Sequence, residues 1–149
     1  MTRIVLWLLV INLGIACGAG LYESRIIIAP WIAAARRGDD ARLADVGREF
    51  WAFVTTIPLT LLTLISLASA WGGSGASTQW WLVAAGLTLI ERTMTFGYFI
   101  PVMLTLQRQQ GPPLSQTKAT AIRWAALNHL RTALTCSAWI AALRALSVM

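Results

Sequence analysis

The chain has 149 residues, of which 57% are hydrophobic and 12% charged, with a formal net charge of +6 and a mean hydropathy of +0.65. Soluble domains carry roughly a quarter charged residues, so this composition excludes an ordinary soluble domain and points to an integral membrane protein. The positive balance does not point to nucleic acid, because most basic residues stand at the ends of apolar stretches, where they report membrane topology.

A hydrocarbon core about 30 Å thick takes about 20 apolar residues per helix, and four windows qualify, at roughly 3–29, 51–71, 80–107 and 117–147. They use most of the chain, which is read as one integral membrane domain over residues 1–149. The first window opens as a secretory signal would, with Arg3 before an apolar run. It is longer than a signal core, and Glu23 and Arg25 stand where cleavage would fall, so a true span is expected. "GIAC", ending at Cys17, makes a poor lipoprotein box because Gly14 takes the place of the usual leucine. Cys17 and Cys136 both fall inside predicted spans, without a zinc-like or disulfide-like spacing, and are read as small packing residues. Gly14 and Gly18 form a small-xxx-small pattern that permits close helix approach.

The stretch 29–50, "APWIAAARRGDDARLADVGREF", carries Arg36, Arg37, Arg42 and Arg48. Within this first loop Trp31, Ile32, Leu43, Val46 and the following Trp51 alternate with charges at spacings that predict a short interfacial helix after the first span. "GGSGASTQ" between spans two and three is an uncharged turn, and "QRQQGPPLSQ", with Gly111, Pro112 and Pro113, separates spans three and four. Loops one and three are thus the basic side, which the positive-inside rule places in the cytoplasm, with both termini outside, as for a protein of the cytoplasmic membrane. The expected fold is all-α, a four-helix transmembrane bundle of up-down-up-down topology. Pro58 and Pro101 fall inside spans two and three and predict kinks.

Projected at 100° per residue, each span carries a polar stripe. Span one offers Asn12 and Glu23, with Ala16 on the same stripe; span two offers Thr56, Thr60 and Thr63; span three offers Thr88, Glu91, Arg92, Thr95 and Tyr98. Span four offers Trp124, Asn128, Arg131 and Thr135, with the single histidine, His129, at the edge of that stripe. At about 1.5 Å per residue from the cytoplasmic ends, Glu23 and Tyr22 lie roughly 10 Å deep and Tyr98 roughly 13 Å. By the same rise, Asn128 to Arg131 lie roughly 16 to 21 Å deep, with Glu91 and Arg92 slightly deeper. One internal polar site can therefore hold them all.

An ionised side chain at mid-membrane costs about 2.5 to 3.5 kcal/mol on insertion scales, so such groups are paired and often functional. Two bland readings stand beside a functional one: Glu23 and Glu91 neutralising Arg92 and Arg131 as a register-setting network, and the threonines bonding their own backbone. A metal site from Glu23, Glu91 and His129 is a further reading, although the paired Glu-x-x-His repeats of di-iron bundles are absent. A haem held by His129 is another. Neither has a second marker, and no cofactor is expected. Other functional classes fit the same charges: a binding or transport module for an anionic or lipophilic ligand, or a subunit that buries its polar stripe against a partner, including a second copy of the chain.

Three stretches, "GAGLYE" closing span one, "ERTMTFGYFIP" in span three and "WAALNHLRT" in span four, resemble the anthrone-oxygenase-like family of small four-helix membrane proteins. The similarity runs over nearly the whole chain. It implies an oxygenase that needs neither metal nor flavin and inserts oxygen at the activated methylene of a tricyclic polyketide anthrone. Such a substrate, once deprotonated, can reduce dioxygen itself, so the protein must supply a base, stabilise the anion and exclude water. On that reading His129 or Glu23 is the base, and Arg92 and Arg131 hold the enolate oxygen. Asn128, Tyr98 and Tyr22 orient the phenolic edge, Glu91 belongs to the binding set, and Trp124 and Trp51 form flat walls. The expected partners are a lipophilic small molecule, dioxygen and the lipid bilayer.

Overall fold

In the computed structural model residues 2–37, 49–108 and 115–149 are described, and among them every long element is helical. The order is α1 (Thr2–Tyr22), a π-helical segment π1 (Glu23–Ile28), α2 (Ala29–Arg37), π2 (Phe50–Thr56), α3 (Ile57–Ala70), α4 (Ala76–Met94), π3 (Thr95–Phe99), α5 (Ile100–Arg108) and α6 (Ser115–Ser147). These make four rods: α1–π1–α2, π2–α3, α4–π3–α5, and α6 alone. Rod four packs on rods one and three, and rod two also packs on rods one and three, so the rods form a closed square.

Three of the rods contain a proline, and in each the widened segment ends two residues before it: Ile28 before Pro30, Thr56 before Pro58, Phe99 before Pro101. Proline has no N–H, and its ring strikes the carbonyl four residues back. A turn widened to i→i+5 bonding relieves that clash within a continuous helix. The N–H of Ile57 accordingly bonds the carbonyl of Ala52, and that of Ile100 the carbonyl of Thr95, each five residues back. The 33 residues of α6 contain no proline and form a single α-helix. Kinks expected at Pro58 and Pro101 are thus realised as π turns just before them.

The proline at 58 has a second consequence. Four residues back stands Val54, whose carbonyl would take its α-helical bond from the N–H that Pro58 lacks. Asn12 of α1 donates its side-chain Nδ2 to that carbonyl at 2.8 Å. A buried polar residue of rod one is therefore spent on docking rod two.

Rods one and four run antiparallel for most of their length. Gly14 lies under the indole of Trp139, Cys17 is joined to Cys136, Gly20 faces Thr132, and Asn128 donates to Ser24 Oγ at 3.3 Å. At the far end Lys118 Nζ bonds the carbonyl of Arg36 at 2.7 Å. This seam corrects two expectations. Residues 29–37 do not turn aside as an interfacial helix; α2 continues rod one along α6, with Trp31 edge-on to Trp124 at 6.2 Å, because π1 absorbs Pro30 without a break. Leu43 and Val46 of that expectation lie outside the described residues. The two cysteines are not unpaired packing residues but a disulfide, 119 residues apart in sequence and 5.5 Å apart between Cα atoms.

The helices at Arg3–Arg37 and Phe50–Ala70 are long and apolar enough to cross a membrane. The third and fourth rods are long but carry Glu91 and Arg92, and His129 and Arg131, mid-helix, which lowers their mean hydropathy; four spans are not established by this criterion. Large apolar side chains point outward from all four rods, among them Trp7, Ile11, Phe53, Leu61, Val83, Phe96, Leu130 and Ile140. Inside lie an apolar cluster at one end, centred on Leu6, Leu9, Leu13, Leu59, Trp81 and a run of α6 alanines, and an aromatic cluster around Phe99 and Trp124 at the other.

Two predictions follow from the packing. Asn12→Ala strands the Val54 carbonyl and lowers stability by about 1 to 2 kcal/mol, measured as a drop in melting temperature in detergent. A Cβ at Gly14 already meets Trp139 at 3.2 Å, whereas one at Gly18 meets nothing within 4 Å. Gly14→Leu therefore costs about 1 to 3 kcal/mol by overpacking, while Gly18→Leu stays within about 0.5 kcal/mol; equal melting shifts would contradict this seam.

Candidate functional site: a charged cavity between the four rods

Between the two clusters a cavity draws its lining from every rod: Ala16 and Gly20 from α1, Trp51, Thr55 and Thr56 from π2, Glu91 and Arg92 from α4, and Arg131, Thr132 and Thr135 from α6. Its free volume is about 20 Å³ at the centres of water-sized molecules. That admits one or two molecules of water or dioxygen size and is far below the roughly 300–1,000 Å³ that encloses a drug-sized ligand. A polycyclic aromatic enters this site only if the rods part.

Glu91 and Arg92 are both buried. Arg92 curls back on its neighbour with Nε on Oε2 at 2.6 Å and Nη2 on Oε1 at 2.8 Å. Thr95, the first residue of π3, donates its hydroxyl to the same Oε1 at 2.9 Å. Glu91 thus accepts three hydrogen bonds and is fully committed, while Arg92 Nη1 stays buried without a protein partner. A cationic donor is left over on the cavity wall, where a ligand oxygen or a water satisfies it.

Arg131 is held differently. Its Nη2 stands 3.5 Å from Glu23 Oε2, a long ion pair, and its guanidinium carbon lies 4.8 Å from the Phe99 ring centroid and 5.9 Å from that of Trp51. The aromatic faces attract the cation, and Glu23, Trp51 and Phe99 come from rods one, two and three. Glu23 Oε2 makes no hydrogen bond, so its carboxyl is far less committed than that of Glu91.

The remaining predicted site residues divide clearly. Asn128 is fully buried and joins α6 to π1 through Ser24, whose hydroxyl in turn donates to the Gly20 carbonyl at 2.7 Å. Trp124 is buried and donates Nε1 to the Phe99 carbonyl at 3.2 Å, and Tyr98 packs edge-on against Phe99 with centroids 5.4 Å apart. These three frame the site and do not line the cavity. His129 is exposed on the outer side of α6, and Tyr22 is 61% exposed on that of α1. His129 stands two residues, about 200° of helix, from Arg131, so when Arg131 turns inward His129 must turn out. The expectation that either residue reaches the internal site is corrected.

The threonines mostly bond their own backbone, as Thr55 does to the Trp51 carbonyl at 2.8 Å, Thr132 to Asn128 at 3.0 Å and Thr135 to Arg131 at 3.1 Å. Gly20, Thr55, Thr132 and Phe99 were not anticipated at the site. Gly20 and Thr132 carry a signal, each one turn from an expected stripe residue, Ala16 and Asn128; Thr55 is turned inward by the π segment, which shifts the helical face. Among the described residues no group of three His, Cys, Asp or Glu side chains could hold a metal ion.

No curated protein and no solved structure matches the chain. The family model described as anthrone oxygenase matches residues 48–141, which takes in Trp51, Thr55, Glu91, Arg92 and Arg131 and stops short of rod one. With that match running over well more than half of its length, the chain belongs to the anthrone oxygenase family.

Proposed function

We propose that the protein is a membrane-embedded oxygenase that works without a cofactor on a lipophilic, phenolic aromatic with an acidic methylene. The observation that carries this reading is the pairing, at one water-sized cavity, of two guanidiniums with unequal commitments: Arg92 with a spare buried donor, and Arg131 cradled by aromatic rings. Family membership supplies the reaction type.

The chemistry balances without a further redox partner. Glu23, the less committed carboxylate, takes a proton from the methylene, and the oxygen of the resulting enolate sits against Arg131 and Arg92, whose charge-assisted hydrogen bonds stabilise it. The electron-rich carbanion gives an electron to dioxygen, the two radicals join as a peroxide, and loss of water leaves a ketone. The net change is CH₂ plus O₂ to C=O plus H₂O. The cavity is of a size for dioxygen, and the aromatic lies toward Trp51 and Phe99, reached by parting the rods. Water exclusion follows from the apolar clusters on either side.

All four rods cross the bilayer in this reading, with loops one and three in the cytoplasm. The outward apolar side chains of every rod support it, as does the burial of Asn12, Glu91, Arg92 and Asn128. That inward turn of the polar stripes favours an enzyme or binder over a subunit that offers its stripe to a partner. A lipophilic substrate and dioxygen both concentrate in the bilayer and reach the site from it.

The test is quinone formation from a hydroxyanthrone by the purified protein in nanodiscs, followed by absorbance, with ¹⁸O₂ labelling of the product. Turnover no faster than the spontaneous oxidation would sink the reading. Arg131→Met is expected to lower kcat/KM by about 10²-fold or more. Glu23→Gln should lose turnover with a small change in melting temperature, whereas Glu91→Gln, which breaks a buried bidentate pair, should lose about 3 kcal/mol of stability. The reverse pattern would exchange the roles of the two glutamates.

A further inference from the structure

We propose that the Cys17–Cys136 disulfide is the positioning element of the charged cavity: it locks rod one to rod four in the register that sets Glu23 against Arg131, so the redox state of this pair controls the site. The family match covers residues 48–141, so it takes in Cys136 and Arg131, while Cys17 and Glu23 stand on rod one before it starts.

The bridge stands directly behind the cavity. Ala16 and Thr135, the neighbours of the two cysteines in sequence, line its wall, and one turn further on Gly20 faces Thr132. Next to the site the links across this seam are long, the 3.5 Å ion pair of Glu23 with Arg131 and the 3.3 Å hydrogen bond of Asn128 to Ser24. The Trp31–Trp124 contact and the 2.7 Å bond of Lys118 to the Arg36 carbonyl lie about two turns or more beyond the ion pair. Glycine at position 20 offers no side chain to interlock with its partner. A slide of one helical turn, about 5.4 Å, would separate Glu23 from Arg131. Glu23 stands six residues after Cys17, and Arg131 five residues before Cys136. The covalent tie is thus less than two turns from the pair it positions, close enough to set its register through two stiff helices.

The inference rests on the reading that Arg131 and Glu23 form the working centre, but its test does not depend on turnover. The full chain in nanodiscs is compared as purified and after tributylphosphine, which converts disulfide, phosphine and water into two thiols and phosphine oxide. Iodoacetamide followed by intact mass counts the thiols. In each state melting temperatures are measured for the parent, Glu23→Gln, Arg131→Met and the double variant, and helix content is followed by circular dichroism. The expected result is no alkylation before reduction and two adducts after it. The losses from the single variants should be non-additive in the bridged protein and additive in the reduced protein, with helix content kept. Alkylation of both cysteines without reductant overturns the proposal, and so does equal non-additivity in the two states. Loss of the helical fold on reduction also overturns it, because the bridge is then a staple of the whole fold. Absence of anthrone turnover in the bridged protein sinks the oxygenase reading and leaves this one standing.

Discussion

Arg131 is the residue on which the four rods converge. Glu23 meets it from rod one, Trp51 from rod two, Phe99 from rod three, and α6 supplies it. A guanidinium inside an apolar bundle persists only if its charge is answered. Here the answer is assembled from a distant carboxylate and two ring faces, with no close ion pair. Such a cradle holds the cation in place yet leaves its donors available. Arg92, bound in bidentate fashion by its own neighbour, shows the contrasting solution, in which one carboxylate accepts nearly everything and a single nitrogen is left over.

The route to that convergence runs through the prolines. Each π segment carries residues that the site uses: Glu23 in π1, Trp51, Thr55 and Thr56 in π2, Thr95 and Phe99 in π3. A π turn inserts one residue into the helical repeat and rotates everything beyond it. The same device therefore accommodates the missing N–H and re-aims side chains at the cavity. Asn12 belongs to this account as well, since it answers the carbonyl that Pro58 leaves open. Local backbone chemistry and site geometry are coupled in three of the four rods, and the proline-free α6, an unbroken α-helix, packs against two of them, rods one and three.

The polarity of the bundle is reversed relative to a soluble protein. Tryptophan, phenylalanine, leucine and isoleucine cover the outside, while asparagine, threonine, glutamate and arginine lie buried. Hydroxyls that bond their own helix cost little in such an interior, which is why most of the threonines are silent in the chemistry. Thr95 instead spends its hydroxyl on Glu91 and so helps to hold the Glu91–Arg92 pair rigid.

Hydropathy, loop charge and helical projection were enough to determine an all-helical chain of four rods and to place Glu91, Arg92 and Arg131 at one height, because burial of apolar surface and the 3.6-residue period act locally. The inward set was legible for the same reason, and a strict use of the 200° between His129 and Arg131 would also have turned the histidine out. Three features were decided by the tertiary structure alone. The run of α2 along α6 depends on a widened turn that no periodicity announces. The union of Cys17 with Cys136 depends on the antiparallel register of rods far apart in sequence. The unequal commitments of the two glutamates and two arginines depend on differences of an ångström or less in the distance between charged partners, which the order of residues along one helix does not specify.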